Sequence, residues 1–110
     1  MKPVFRRRRV DQDLRDACNY YLNEGAPEAA SRFVDAIEAT FVKIAANPAA
    51  GSPRYAIELH VPDLRFWLVP RFPYLAFYLD LEDRVEIVRV LHTKNDIPEL
   101  MGEAAFVRRR

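Results

Sequence analysis

The rhythm of apolar and polar residues changes at Asp11. Before it, Pro3-Val4-Phe5 leading into Arg6–Arg9 reads as a short first strand. Successive strand side chains point to opposite faces, so Arg6 and Arg8 are expected to oppose Arg7 and Arg9, which suits an edge strand or a solvated face. From Asp11, the residues Leu14, Cys18, Tyr21 and Leu22 recur at i, i+4, i+7 and i+8, one stripe of a helix. Asp11 and Asp13 fall in its first turn, where carboxylates suit the positive end of the helix dipole. Gly25 is a natural stop. Pro27 then opens a second helix, because its missing N–H costs nothing in a first turn. That helix carries Ala30, Phe33, Val34, Ile37, Phe41, Ile44 and Ala45 on one face. It ends at Asn47-Pro48, since the residue before proline avoids the helical region. Roughly 20 residues at about 1.5 Å each make a rod about 30 Å long. The short link between the helices predicts an antiparallel helical hairpin.

Residues 48–55 form a breaker-rich loop, and beyond it the signal is β. Leu64–Val69, Tyr74–Asp80 and Arg84–His92 read as strands, with turns at Pro70–Pro73 and Leu81–Asp83. Ile57–Val61 is a candidate for an additional strand. In the last strand Val85, Ile87, Arg89 and Leu91 are expected on one face, and Glu86, Val88, Val90 and His92 on the other. Apolar residues on both faces predict a central strand covered from both sides. Asn95–Met101 fits one last helical turn. The order β-α-α-β-β-β, an antiparallel sheet packed against an N-terminal helical hairpin, is an α+β architecture.

Composition narrows the class. The chain has 110 residues, half of them apolar, with 12% aromatic and 30% charged, which is globular and unlike a disordered chain. We expect one domain over 1–102 and a basic tail over 103–110. Cys18 is the sole cysteine, so no intrachain disulfide forms and nothing points to an oxidising compartment. No signal-like segment follows Met1, and the apolar stretch from Phe72 to Leu79 is too short to span a bilayer, so a cytoplasmic protein without membrane contact is expected. The net charge is +1, but the basic residues cluster at Arg6–Arg9 and Arg108–Arg110.

Motifs for chemistry are mostly missing. One Cys with His60 and His92 makes no metal constellation, so no metal is expected. The glycines, Gly25, Gly51 and Gly102, form no phosphate loop, and Ser31 and Ser52 sit in no nucleophile elbow, so no cofactor is implied. What remains is a polar group on and after the sheet: Arg65, Arg71, Arg89, His92 and Lys94. His92 ends a strand and can serve as a general acid or base, or simply hydrogen-bond a turn. Arg65, beside Phe66 and Trp67, can clamp a phosphate or be an ordinary solvated arginine. Arg89 interrupts an apolar face and should pair with a carboxylate, with Glu38 and Asp35 as candidates. Cys18 belongs to the buried stripe and reads as core.

Several segments together resemble the ParE/RelE toxin superfamily. Arg89-Val90-Leu91-His92-Thr93-Lys94-Asn95-Asp96 is similar to the RVLH-x-x-R-D ending of ParE-type toxins, Phe72–Tyr78 to their F-P-Y-x-I-x-Y strand, and Leu64–Val69 to their LR-x-W-x-V strand. Asn47–Gly51 resembles the P-x-x-G loop, and Ala29–Phe33 the A-x-x-F helix. The resemblance implies the toxin of a type II toxin–antitoxin module. ParE-like members poison DNA gyrase, RelE-like members cut mRNA on the ribosome, and both are covered by an antitoxin segment docked as a helix or an added strand. It also implies a hetero-oligomer with a ParD-like antitoxin, which alone contacts operator DNA.

On that basis Arg65, Arg71, His92 and Lys94 are candidates for target binding, and Phe66, Trp67, Phe77 and Tyr78 for antitoxin binding. No catalytic residue is firm; a nuclease would rely on Arg65 and His92. Thr93 stands where nuclease branches have tyrosine, which favours the non-nucleolytic, gyrase-directed branch. Asn95 departs from the family arginine. The alternatives are a RelE-like endoribonuclease and a degenerate toxin that retains only antitoxin binding.

Overall fold

A computed structural model describes residues 2–101; Gly102 and the expected basic tail lie outside them. The chain runs β1 (Val4–Arg6), α1 (Arg8–Asn23), α2 (Pro27–Ala46), a 3₁₀ turn (Pro48–Ala50), α3 (Arg54–Glu58), β2 (Leu64–Leu68), β3 (Tyr74–Asp80), β4 (Val85–His92) and α4 (Ile97–Leu100). The helical hairpin is joined as its punctuation predicts. Gly25 adopts φ 73° and donates to the Leu22 carbonyl, while the Ala26 N–H returns to Tyr21, a two-bond closure that satisfies the last carbonyls of α1. Pro27 occupies the first turn of α2, and Lys43 stands at the negative end of its dipole.

The α+β arrangement is as expected, with one refinement. The strands are ordered β1-β4-β3-β2, and the β2-β3-β4 meander is antiparallel, but β1 joins β4 in parallel, so the sheet is mixed. The helical hairpin carries the chain away from β1, and the meander brings β4 back running the same way.

Several local expectations need correction. Arg8 and Arg9 belong to α1, not to the first strand. Ile57–Val61 forms no strand: Arg54–Glu58 is a helical turn that buries Ala56 and leaves Ile57 outside. The stripe of α1 that reaches the core is Val10, Asp13 and Ala17, at i, i+3 and i+7, while Leu14, Cys18 and Tyr21 are only half-buried and Leu22 is exposed. On α2, Val34 likewise turns outward.

A β-bulge rewrites the faces of β4. Phe77 pairs with Arg89 but Tyr78 pairs with Ile87, so Val88 is the extra residue. Val85, Ile87 and Val90 therefore pack under the helices with Phe33, Ile37 and Ile44. Val88 and Leu91 pack on the opposite face with Phe77 and Leu79, beneath Ala56 of α3 and Ile97 of α4. Both faces of the sheet are covered, as the all-apolar pattern of β3 requires.

Candidate functional site

Arg71, His92 and Lys94 come together at one end of the sheet. Arg71 sits in the turn between β2 and β3 at φ 70°, a left-handed conformation uncommon for any residue but glycine, and its side chain is exposed. His92 closes β4 opposite Tyr74, and the two rings meet edge-on at 5.1 Å. The Thr93 N–H donates to the Pro73 carbonyl at 2.9 Å, tying the end of β4 to the turn that carries Arg71. The Lys94 N–H donates to His92 Nδ1 at 3.0 Å, so in the neutral ring the proton resides on Nε2. Burial pushes the Tyr74 hydroxyl up to about 12, helped by the nearby Tyr21, Tyr20 and Cys18, so it stays protonated at neutral pH. Burial likewise raises the Cys18 thiol, which suits its place beside the core.

Arg65 is elsewhere. It lies opposite Tyr78, and its Nη1 donates to the Gly51 carbonyl at 2.7 Å. Tyr78 and Tyr74 are four residues apart on β3, about 13 Å along the strand, and β2 and β4 flank β3 at two strand spacings, about 10 Å. Arg65 and His92 therefore spring from well-separated backbone positions, and Arg65 is turned to the Gly51 carbonyl. Together with Tyr78, whose hydroxyl donates to the Pro48 carbonyl at 2.5 Å, Arg65 anchors the loop after α2. Burial raises the Tyr78 hydroxyl, while the Gly51 backbone and the Arg65 charge oppose the shift. Gly51 is required there because a Cβ would run into Tyr78 Oη and lie 2.8 Å from its Cζ.

Of the four aromatics expected to meet an antitoxin, Phe77 and Tyr78 are 0% exposed and serve the core. Phe66 and Trp67 are half-buried on β2, next to Leu68, which is 56% exposed. Six consecutive apolar or aromatic residues, Tyr74–Leu79, were the signal that β3 is covered on both faces.

Between α1 and the end of β4 lies a cleft of about 250 Å³, lined by Arg9, Asp13, Tyr74, Arg89, His92 and Asn95 among others. At its floor Arg89 pairs with Asp13, not with Glu38 or Asp35: Nε donates to Oδ2 at 2.9 Å and Nη2 to Oδ1 at 3.0 Å. Asp13 also accepts the Val90 N–H at 2.9 Å, and the Arg9 Nε stands 3.6 Å away. Sequence reasoning assigned Asp13 to the helix dipole. Its spacing with Val10 and Ala17 was the available sign that it faces inward. Among the described residues no group of His, Cys, Asp and Glu is placed to hold a metal, and no helix is long and apolar enough to cross a membrane.

Comparison with known proteins bears on the family and the fold. The family model described as ParE toxin of type II toxin-antitoxin system, parDE, matches residues 4–97. No curated protein matches. Among solved structures, a chain of the chromosomal ParDE TA system from P. aeruginosa superposes with a TM-score of 0.69 at 24% identity, covering 84% of this chain and 96% of that one. At that identity the likeness speaks for the fold.

Proposed function

Since the chain belongs to the ParE toxin family of type II toxin–antitoxin systems, we propose that it arrests growth by binding DNA gyrase and that a cognate antitoxin holds it inactive. The observation that carries a binding rather than a cleaving role is the separation of Arg65 from His92. Cleavage of RNA through its 2′-hydroxyl needs a base, an acid and cations converging within hydrogen-bond reach of one phosphate. Arg65 is instead committed to the Gly51 carbonyl. The exposed sheet end with Arg71, His92 and Lys94 is left as a contact surface for the target. Phe66, Trp67 and Leu68 on β2 offer the antitoxin an apolar strip, and the assembly is a hetero-oligomer.

The test pairs a gyrase supercoiling assay with mRNA cleavage in a translation extract. The full chain is expected to block supercoiling and leave mRNA intact, and added antitoxin is expected to restore supercoiling. Arg71→Ala combined with Lys94→Ala should weaken inhibition by about tenfold or more, as loss of charged contacts at an interface does, whereas Arg65→Ala should not. Cut mRNA with fully active gyrase would establish a nuclease. Expression without growth arrest would leave antitoxin binding as the remaining role.

A further inference from the structure

The cleft beside α1 holds a guanidinium that is only partly used. The Arg89 side chain is 12% exposed, and its Nε and Nη2 are spent on Asp13. Among the described residues Nη1 has no acceptor, and no buried side-chain nitrogen or oxygen is left without a partner, so Nη1 is open to solvent, on the cleft that Arg89 lines. Arg9 stands at the same cleft with its side chain 57% exposed. Asp13 lies between the two guanidinium groups and already accepts three hydrogen bonds, from Arg89 Nε, Arg89 Nη2 and the Val90 N–H. Two cations around one carboxylate give the floor a net positive charge, with Asp16 the one opposing charge on the lining.

The walls limit what that floor can attract. Leu100, 41% exposed, lines one side of the cleft, while Tyr74 and Leu91, 8% and 4% exposed, add little apolar surface. Asp16, also on the lining and held by the Gln12 amide at 2.8 Å, opposes a doubly charged group. The volume falls below the roughly 300 Å³ at which pockets for drug-sized ligands begin. We infer that this cleft binds a single carboxylate on a short apolar stem, with Arg89 Nη1 donating to the carboxylate and Arg9 adding charge at the mouth. A free short-chain acid and a glutamate side chain of another protein both present this group. The inference stands on the cleft alone and holds whatever the toxin's target is.

An amide-resolved NMR titration of the full chain tests it, with isocaproate, isocaproamide, inorganic phosphate and the blocked peptide acetyl-Ala-Glu-Ala-amide as probes. Isocaproate is expected to shift the Val90, His92 and Asn95 amides saturably, and the uncharged isocaproamide to bind about tenfold more weakly or less, since a charge-assisted hydrogen bond is lost. Phosphate should be the weaker anion. Tighter binding of the peptide assigns the site to a protein side chain, and tighter binding of isocaproate to a free acid. Leu100→Trp enlarges the side chain at the 41% exposed edge of the cleft and should abolish the shifts. Equal shifts from the acid and its amide, stronger binding of phosphate, or undiminished binding by Leu100→Trp would overturn the assignment.

Discussion

Asp13 and Arg89, 76 positions apart in the chain, meet as a two-point ion pair that fastens α1 to β4 at the bulge. Their side chains are 4% and 12% exposed, so each charge depends on the other for its solvation. Asp13→Ala should cost about 3–5 kcal/mol, because it leaves a buried guanidinium and the Val90 N–H without an acceptor. Replacing both partners by Leu and Met should cost clearly less than the sum of the two single changes. Urea denaturation of the four proteins measures the coupling. Strict additivity would mean that the pair is not what joins helix to strand.

Gly51→Ala tests a steric requirement, since the backbone there has an ordinary φ of −67°. The added methyl would meet the Tyr78 ring and approach the Phe66 carbonyl oxygen to 3.0 Å. We expect a loss of about 1–3 kcal/mol, the usual cost of overpacking. Combining it with Tyr78→Phe should recover part of that loss although Tyr78→Phe alone is destabilising by about 1 kcal/mol through its lost hydrogen bond to Pro48. If the double variant is simply the sum, the hydroxyl is not the obstacle.

Alkaline pH should weaken the fold through Tyr74. Its hydroxyl ionises near 10 in the unfolded chain and near about 12 when folded. Below the lower value both states are protonated and the group has no pH-dependent effect. As pH rises between the two values the unfolded state gives up the proton first, so stability falls by up to about 3 kcal/mol. Tyr74→Phe should show a shallower alkaline decline in denaturation midpoint than the parent chain. Matching declines would remove Tyr74 as the cause.

Glu86 acts at the other end of the scale. Burial alone would raise its carboxyl, but hydrogen bonds from Arg84 and from Arg7, at 2.8 and 2.9 Å, outweigh burial and hold it below the usual range. A depressed folded-state value means that its contribution is present above the unfolded value near 4.5 and lost as pH falls through the folded one. Glu86→Gln should therefore be the less stable protein at neutral pH, with the gap closing on acidification. Thermal unfolding of both across the acid range checks this, and a gap that does not change with pH contradicts it.

The helical hairpin and the three-strand meander were legible because both depend on local patterning: Gly25 and Pro27 punctuate the helices, and Tyr74–Leu79 is too apolar to be anything but a central strand. The choice of Asp13 as the Arg89 partner was not legible, because it depends on which turn of α1 faces β4 after the bulge at Val88 has shifted the register. The same bulge explains why strict alternation misplaced Val90 and Leu91. Five residues at Arg54–Glu58 are too few for helical periodicity to stand out from an alternating strand pattern. At the candidate site, Arg71, His92 and Lys94 could be grouped from turn positions, whereas Arg9 and Asn95 enter the cleft only through the packing of α1 on β4.

The loop after α2 has a further effect where Ser52 bridges to Phe66, exchanging both main-chain hydrogen bonds at 2.9 and 3.0 Å. That exchange occupies the middle of the β2 rim with the protein's own backbone. A second copy of the chain thus meets one border of the sheet partly occupied and, at the other border, only the short β1 with Arg6. Strand addition at the β2 border would first have to displace this bridge.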